Sequence, residues 1–212
     1  MLEGMRMVPD ISVLMGIYNE KKKEQVEMAI SSILNQSYSN FEFIICDDGS
    51  SEEFFLWLQE YCKTDERIHL LRNEKNEGLS KALNRCLKYA KGEYIARMDA
   101  DDISLPERFE KQVMFLKTHP EYAFTGSAVS LIDEGGIWGE RKPSERPQKT
   151  DFLWTSPFIH PSIMMKTSVL QNMNGYTTAD YAERTEDYDL FMRLYAAGEK
   201  GYNLQEKLFL YR

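Results

Sequence analysis

The stretch Ile95-Ala-Arg-Met-Asp-Ala-Asp-Asp102 is a short apolar run that ends abruptly in three carboxylates among four residues. Carboxylates this close repel one another, so the cluster is unfavourable unless something positive lies against it. The residues before it read as a strand leaving a helix, and Ser104-Leu-Pro-Glu-Arg-Phe109 reads as a helix start with proline in its first turn. We therefore predict the acids at the carboxyl end of a strand, where open α/β sheets bind ligands.

Two interpretations of these acids are open. An Asp-x-Asp pair at such a turn suits a hard divalent cation, Mg²⁺ or Mn²⁺, whose remaining positions can be taken by phosphate oxygens. The alternative is a solvated Asp-rich turn that also caps the following helix, because aspartate is common at both places. The triplet does not separate the two, so the rest of the chain has to decide.

Composition limits the classes of protein to consider. The 212 residues are 42% hydrophobic and 28% charged, which suits one domain with a full core. A formal charge of −8 argues against a nucleic-acid partner, which needs a basic face, although it does not exclude nucleotides. Three cysteines without a Cys-x-x-Cys pair argue against zinc and disulfides. The first apolar run, 11–17, is too short for a signal core or a membrane span, so we expect a cytoplasmic protein.

Apolar runs alternate with stretches of helical spacing through the first half of the chain. This alternation predicts right-handed crossovers and a largely parallel sheet. The turns after the first, second and fourth strands would then open on one edge, so their polar residues converge on a single cleft. The predicted strands are 10–17, 41–46, 68–71 and 92–98, and the predicted helices between them are 24–36, 52–62 and 78–90.

The second half has a different character. Residues 141–149 are polar with two prolines and are expected to form a surface loop or mobile flap. Thr167 and Thr185 are each predicted to cap a helix, and the second helix carries acids in its first turn. Residues 206–212 end inside a predicted strand, so we expect the native chain to extend beyond 212. The other predicted elements are a helix over 106–118, a strand over 122–132 and a short return strand after the turn at Gly135-Gly136.

Motifs of several other enzyme classes are missing from the sequence. It has no Gly-x-x-x-x-Gly-Lys-Ser/Thr loop and no Gly-x-Gly-x-x-Gly after the first strand. It also has no Gly-x-Ser-x-Gly elbow, and only three histidines are present for a triad. These absences disfavour an ATPase, a Rossmann dehydrogenase and a hydrolase.

The sequence resembles the family 2 inverting glycosyltransferases, which have a nucleotide-diphospho-sugar-binding fold of the GT-A type. The matching motifs come in the family's order and span nearly the whole chain. Each motif alone is weak evidence for this family, whereas the whole set in this order is specific for it. The matching segments are Ser12-Val-Leu-Met-Gly-Ile-Tyr-Asn-Glu20, Ser31-Ser-Ile-Leu-Asn-Gln-Ser37, Phe43-Ile-Ile-Cys-Asp-Asp-Gly-Ser50, Asn76-Glu-Gly-Leu-Ser80, Gly92-Glu-Tyr-Ile-Ala-Arg-Met-Asp-Ala-Asp-Asp102 and Thr185-Glu-Asp187.

The resemblance implies a fold and an activity. The fold would be α/β, a GT-A type three-layer sandwich around a mostly parallel central sheet, in one catalytic domain over 1–212. Residues 8–120 would bind the nucleotide sugar, and residues 121–212 would bind the acceptor. The activity would be metal-dependent, inverting transfer of a hexose or N-acetylhexosamine from a nucleotide diphosphate, UDP by expectation. The acceptor would be a saccharide or a lipid-linked saccharide in bacterial cell-surface polysaccharide or capsule synthesis. Peripheral membrane association, at the inner face of the plasma membrane, and a homodimer are both compatible with this resemblance.

The resemblance also assigns residues to the donor site. Asp48 would accept a hydrogen bond from the ring N–H of a uracil-like base. Asp101 would ligate Mg²⁺ or Mn²⁺ together with Asp99, which would also contact the ribose. Asp102 would either support these acids from behind or cap the next helix. The remaining residues assigned to the nucleotide sugar are Gly16, Tyr18, Glu20 and Ala100.

The positive charge that faces the diphosphate is less well defined. Lys81, on the helix after Gly78, and Arg97, beside the acids, are the candidates, although each could equally be an ordinary surface or ion-pair residue. Many family members carry Ala-Arg-Asn where this chain has Ala82-Leu83-Asn84. That departure leaves the source of the charge open and makes the metal more important.

The catalytic base is assigned to Asp187, with Glu186 as the second candidate. Inverting transfer needs a carboxylate opposite the leaving diphosphate, to take the proton of the acceptor hydroxyl as the new bond forms. Acids favoured by the helix dipole would explain both residues without catalysis, and it is their place in the motif order that favours the base.

Three further residues are weaker candidates. The resemblance places His160 on the acceptor side or at the metal edge of the cleft, and a structural histidine is an equal alternative. Trp138 and Trp154 could stack on a sugar ring, although core packing is the commoner fate of tryptophan.

Two other classes of protein compete with the transferase. A sugar-phosphate nucleotidylyltransferase also uses a metal and a related sheet, but it would carry a Gly-rich basic loop where this chain has Tyr18-Asn-Glu20. A non-catalytic nucleotide-sugar-binding module would bind the donor without turning it over.

Overall fold

A mixed nine-stranded sheet organises the computed structural model, which describes residues 8–212. The strands are β1 (Ile11–Ile17), β2 (Phe41–Asp47), β3 (Ile68–Arg72), β4 (Tyr94–Arg97), β5 (Ile103–Ser104), β6 (Phe124–Asp133), β7 (Gly136–Arg141), β8 (Met164–Lys166) and β9 (Gly201–Tyr211). The α-helices are α1 (Lys23–Leu34), α2 (Glu52–Cys62), α3 (Leu79–Tyr89), α4 (Arg108–Thr118), α5 (Thr167–Asn172) and α6 (Glu186–Ala196).

The strand order is β3-β2-β1-β4-β8-β6-β9-β5, with β7 paired to the outer part of β6. The first four strands in this order are parallel. Strand β8 is antiparallel to both β4 and β6, so β6 runs in the direction of β4, and β9 is parallel to β6. Six of the nine described strands therefore share one direction, which confirms a mostly parallel sheet.

Two helical layers cover the sheet, because successive side chains of each buried strand point to opposite faces. Val13 and Met15 of β1 pack with α1, α2 and α4, whereas Leu14 packs with α3, α5 and α6. The predicted three-layer sandwich is confirmed. Within residues 8–212, no helix has both the length and the apolar character needed to cross a bilayer.

Several predicted boundaries were wrong. Helix α4 begins at Arg108, and Pro106 lies in the turn before it, because Ile103–Ser104 instead pairs with β9. The Thr167 hydroxyl is not a cap, since it donates to the carbonyl of Gly92 at 2.6 Å. Thr185 precedes α6, but within the described chain its side chain makes no capping bond.

Candidate active site

The turns after β1 and β2 hold each other in place. Asn19 has a left-handed backbone with φ 45°, which asparagine tolerates better than most residues. Its N–H donates to the Ser50 hydroxyl at 2.8 Å, and its side-chain oxygen accepts from the N–H of Ser51 at 2.9 Å. This pair fixes the chain on both sides of Asn19, so Tyr18 and Glu20 lie at the edge of the sheet, with Tyr18 exposed. Their predicted contacts with the nucleoside remain predictions.

Asp48 is buried and fixes the turn that leads into α3. Its oxygens accept from Asn73 Nδ2 at 2.7 Å, from the N–H of Gly78 at 2.8 Å and from the N–H of Glu77 at 3.1 and 3.2 Å. The amide oxygen of Asn73 in turn accepts from Arg85 at 2.8 Å. Both carboxylate oxygens of Asp48 therefore accept hydrogen bonds from this turn. A base N–H that binds to Asp48 would have to share one of these oxygens with the turn.

Glycines allow a close approach on this side of the cleft. A Cβ on Gly49, where φ is +76°, would lie 2.3 Å from the backbone carbon of Lys75. A Cβ on Gly16 would lie 2.8 Å from Leu79 Cδ1. Gly16 thus lets the start of α3 pack down onto β1, and its predicted contact with the nucleotide remains a prediction.

The acid loop, residues 99–102, rests on a buried cation. Arg97 is only 2% exposed, and its guanidinium donates to the carboxylate of Asp99 and to the carbonyl of Met98. This pairing supplies the positive charge that the acid cluster requires. Arg97 is turned away from solvent, which fits the ion-pair interpretation of this residue, and its contact with a diphosphate remains a prediction. Ala100, between the acids, is buried.

Electrostatics places Glu20 beside the acid loop. Burial, and then the charge of Asp99, raises the pKa of Asp101. Burial, and then the charges of Asp101 and Asp99, raises the pKa of Glu20. The prediction that the turns after β1 and β4 meet at one cleft therefore agrees with the arrangement of these carboxyl groups.

Asp102 does not cap a helix, contrary to one sequence interpretation. It is buried, and its Oδ1 accepts from the N–H of Arg212 at 2.8 Å, while Arg212 Nε donates to the carbonyl of Asp101 at 2.9 Å. Its Oδ2 has no hydrogen-bond partner among the described residues. Burial, followed by the charge of Asp99, raises the pKa of Asp102 to about 8. Asp102 therefore joins the acid loop to the end of β9.

A second buried arginine lies below this loop. Arg108 Nη2 donates to the carbonyls of Arg97 at 2.9 Å and Ile163 at 3.1 Å, and its Nε donates to Gln112 at 3.0 Å. Burial lowers the pKa of Arg108 to about 9, and the charge of Asp102 opposes this effect. Arg108 thus clamps the end of β4 to the turn that carries His160.

His160 lies in the floor of the cleft. Its Nε2 is 2.9 Å from the hydroxyl of Tyr176, and both side chains are buried. Burial raises the pKa of Tyr176, the charge of Arg97 opposes this, and the charges of Asp187, Asp99 and Glu186 add to it. Tyr176 is therefore within electrostatic range of both groups of acids. The sequence interpretation of a hydrogen-bonded structural histidine fits this geometry, and a contact with the acceptor remains a prediction.

The predicted base begins α6 and faces the acid loop. Burial is the main cause that raises the pKa of Asp187, and the charge of Asp99 raises it further. The pKa of Glu186 is raised by burial and then by the charges of Asp187 and Asp99. Backbone amides of the first turn interact with both carboxylates, which explains why α6 needs no threonine cap. The acids of the two halves thus share one cleft.

A groove of about 780 Å³ opens beside this cleft, between the start of α3 and residues 177–186. Lys81 and Glu186 line it, together with the further cations Lys75 and Arg184. Asp99 and Asp101 are not part of its wall. The acids Glu77, Asp180 and Glu183 line the same groove, so Lys81 faces a space of mixed charge beside the acid loop.

The acid loop suits a hard divalent cation. Asp99 and Asp101 present carboxylate oxygens, and their mutual repulsion is only partly offset by Arg97. Within residues 8–212, no group of three or more acidic, histidine or cysteine side chains gathers closely enough to hold a metal by itself. An ion at Asp101 and Asp99 would need further ligands, and the phosphate oxygens of a donor can supply them.

Sequence reasoning missed three residues of this site: Arg108, Tyr176 and Arg212. Arg108 occupies a helix position that reads as an ordinary surface charge, and nothing local signals its burial. Tyr176 and Arg212 reach the acids only through pairings between distant segments. The Gly175-Tyr176 step was the one available signal, because a glycine after a helix marks a close turn.

Comparison with known proteins defines the class. Residues 12–173 match the family described as Glycosyl transferase family 2. The chain belongs to this family, and its fold is of the GT-A type.

Individual relatives agree with this assignment. EpsE of Bacillus subtilis (strain 168) is 41% identical over 205 residues, covering 96% of this chain and 73% of EpsE. The UDP-Glc:alpha-D-GlcNAc-diphosphoundecaprenol beta-1,3-glucosyltransferase WfgD of Escherichia coli is 38% identical over 131 residues, covering 61% of this chain and 49% of WfgD. The structure of S. aureus TarS 1-349 in complex with UDP has a TM-score of 0.77 at 19% identity, over 95% of this chain and 60% of that one. The last likeness concerns the fold alone.

Proposed function

We propose that this chain transfers a hexose or N-acetylhexosamine from UDP to a saccharide or lipid-linked saccharide, with inversion at the anomeric carbon. The observation that carries the proposal is the meeting of two groups of acids at one cleft. Asp99 of the acid loop raises the pKa of Asp187 and of Glu186 at the start of α6. One group is suited to the donor and the other to the acceptor hydroxyl.

The donor side would hold the nucleotide diphosphate. Asp101 and Asp99 would hold Mg²⁺ or Mn²⁺, which when bound offsets the charge that develops on the leaving diphosphate. Lys81 would add a positive charge from the adjacent groove. Asp48, Tyr18, Glu20 and Gly16 would hold the nucleoside at the ends of β1 and β2.

On the acceptor side, Asp187 would take the proton of the attacking hydroxyl. Its raised pKa makes it a stronger base than a solvated aspartate, as general-base catalysis near neutral pH requires. Glu186 would be the alternative base. Residues 121–212 would bind the acceptor and 8–120 the donor, within one catalytic domain.

The biological setting is proposed from the relatives. WfgD carries its donor and acceptor in its name, UDP-Glc and a GlcNAc linked to diphosphoundecaprenol. We infer a related role here, in bacterial cell-surface polysaccharide synthesis at the cytoplasmic face of the plasma membrane. Family membership disfavours a nucleotidylyltransferase, and a non-catalytic binding module remains the competing outcome.

Titration with UDP by calorimetry, with and without Mn²⁺, tests the donor assignment. We expect binding that requires the metal, that is lost in Asp101→Ala and that is kept in Asp187→Ala. Glu121→Ala, which removes an exposed carboxylate elsewhere, is the control and should behave as wild type. A protein that fails to bind UDP under every metal condition contradicts the donor assignment.

Turnover tests the rest of the proposal. With a panel of UDP-sugars and acceptors, wild type should form a β-linked product from an α-linked donor, and the anomeric configuration can be read by NMR. Asp187→Ala should bind UDP and fail to turn over. UDP binding with no turnover by wild type on any acceptor would favour the binding module.

A further inference from the structure

Four of the exposed large apolar side chains in the second half of the chain lie on the β6–β7 hairpin and on residues 153–154, and we call them the apolar rim: Ile137, Trp138, Leu153 and Trp154. Trp154 is 89% exposed and Trp138 is 64% exposed. The sequence expectation that core packing is their commoner fate is therefore wrong for both tryptophans. Soluble domains seldom leave apolar side chains of this size grouped in water without a partner.

Two structural features bring the parts of the apolar rim together. Arg141, at the end of β7, donates from Nη2 to the carbonyl of Ser156 at 3.0 Å, which holds the segment after Trp154 against the hairpin. In the hairpin, Leu131 faces Gly139 and Ile132 faces Ile137, so Trp138 is the extra residue of a β-bulge. A bulge redirects the side chain that it contains.

The apolar rim borders the acceptor side of the cleft. The Tyr188 hydroxyl donates to the carbonyl of Phe152, so the segment that carries Leu153 and Trp154 is tied to the residue after the proposed base. At the other end, an ion pair between Lys22 and Glu134 ties the tip of the hairpin to the turn after β1. The rim therefore runs along one side of the cleft, from the turn after β1 to the start of α6, where the proposed base lies.

Unpaired cations accompany the apolar rim. Lys142, Arg146 and Lys149 are exposed on the loop that joins its two parts. None of the three has a carboxylate oxygen within 4.0 Å in the described chain. Among the acids of the same loop, Glu140 pairs with Lys207, while Glu145 and Asp151 keep their charge and accept from the Tyr202 hydroxyl and from the N–H of Gln148. Residues 139–152 carry four basic and three acidic side chains, so this loop has a small positive excess on a chain with a formal charge of −8.

We propose that the apolar rim and these three cations form a docking surface for an anionic phospholipid bilayer. Tryptophan is favoured at the headgroup level of membranes, and nearby lysine and arginine are attracted to anionic lipid. Docking on this side turns the acceptor side of the cleft toward the bilayer, where the sugar of a lipid-linked acceptor is held. The acceptor side of the cleft is defined by the proposed function, so this consequence of docking depends on that proposal. The docking to the bilayer does not depend on it.

Sedimentation with vesicles tests the surface. Wild type should bind vesicles that contain phosphatidylglycerol more tightly than vesicles of phosphatidylcholine alone, and added salt should weaken the binding. Loss of either pair of apolar side chains should weaken binding by about tenfold or more. The control pair is exposed on the outward faces of α2 and α4 and should have no effect. The variants are Trp138→Ser/Trp154→Ser, Ile137→Ser/Leu153→Ser and, as control, Leu56→Ser/Met114→Ser.

UDP titration of the same proteins separates this proposal from the previous one. Each variant should keep the UDP affinity of wild type, which also shows that it is folded. Vesicle binding by a wild-type protein that does not bind UDP would support the docking surface and contradict the donor assignment. Absence of vesicle binding by wild type would overturn the docking surface. An effect confined to the tryptophan variant and to turnover of water-soluble acceptors would also overturn it, because the tryptophans would then be a platform for sugars.

Discussion

The imidazole Nε2 of His160 lies 2.9 Å from the hydroxyl of Tyr176, and the two rings meet below the acids of the cleft. Burial, and then the charge of Arg97, holds the pKa of His160 well below its ordinary value of 6.5. The ring is therefore neutral near pH 7. A buried neutral histidine beside a buried cation makes the fold sensitive to acid.

The contribution of His160 to the free energy of unfolding should fall as the pH is lowered below about 6.5, because the unfolded chain then binds a proton that the folded imidazole excludes. The raised pKa of Asp102 acts in the opposite direction over the same range, so the His160 contribution has to be read as a difference between two proteins. The loss should reach about 1.4 kcal/mol per pH unit within the window between the unfolded and folded pKa values. Above this window the contribution is complete. Urea unfolding of wild type and of a His160 variant between pH 7 and pH 5 measures this contribution as the difference between their pH dependences.

Replacement of the imidazole separates this effect from other acid effects. His160→Gln can still hydrogen-bond Tyr176 and does not titrate, so its stability relative to wild type should rise as the pH is lowered over the same range. Equal slopes for the two proteins would show that His160 is not the group responsible.

Asn84 should control the position of the acceptor half. Its amide donates to the carbonyl of Tyr176 at 2.7 Å and accepts from the N–H of Tyr176 at 2.8 Å, which fixes the chain just before the segment that leads to Asp187. Asn84→Ala removes both bonds and should cost about 1–3 kcal/mol of stability. Because the proposed UDP site lies at the ends of β1, β2 and β4, kcat should fall more than UDP affinity.

Asn84→Asp is the graded control for this prediction. It retains the bond from the N–H of Tyr176 but places a carboxylate against the Tyr176 carbonyl, so it should not recover full kcat. A parallel loss of UDP affinity and kcat in both variants would contradict a role confined to the acceptor half.

Two glycines with positive φ, one in the turn after β2 and one before α3, allow steric conflict and backbone strain to be tested separately. Gly49→Ala places a Cβ 2.3 Å from backbone at Lys75, in addition to its positive φ, and neither conflict can be relieved by a side-chain movement. Gly78 has φ 93° and ψ 157°, yet a Cβ there meets nothing within 4 Å. Gly78→Ala should lose about 1–3 kcal/mol through backbone strain alone. Thermal unfolding should show a larger loss for Gly49→Ala.

Arg108 and Asp102 should be energetically coupled. Each has a side-chain atom with no hydrogen-bond partner in the described chain, and the charge of Asp102 raises the pKa of Arg108 against the effect of burial. Arg108→Met removes the guanidinium charge and leaves the buried carbonyls of Arg97 and Ile163 without its hydrogen bonds, which should cost about 1–3 kcal/mol. The double variant with Asp102→Asn should lose less than the sum of the two single losses, by about 0.5–3 kcal/mol. Strict additivity in urea unfolding would show that the two groups are independent.

The sequence was sufficient to predict much of the donor half. Continuous apolar runs such as 11–17 and 41–46 identify buried parallel strands, and the crossover rule brings their polar turns to one edge. The placement of the acid loop and of Asp48 at strand ends follows from these local patterns. The family resemblance then supplied the expected roles.

The acceptor half was harder to predict, because its contacts join distant segments. Strand β8 is three residues long and carries no periodicity that could be detected, yet it lies between β4 and β6. The exposure of Trp138 depends on the β-bulge in the β6–β7 hairpin, and no sequence pattern predicts this bulge. The helix predicted over 106–118 is present as α4, and only its start was wrong, because Ile103–Ser104 pairs with a strand about a hundred residues away.

The contact between Asp102 and Arg212 spans 110 positions of the chain, and β9 must be inserted beside β6 before it can form. Translation delivers the amino-terminal strands first, and pairings between distant segments form slowly because long loops must close. The acid loop therefore emerges from the ribosome well before the strand that completes its surroundings. A nascent chain released from the exit tunnel only as far as α6 would carry both groups of acids without this support. The order of synthesis thus delays a finished site until the chain has been made through its last described residue.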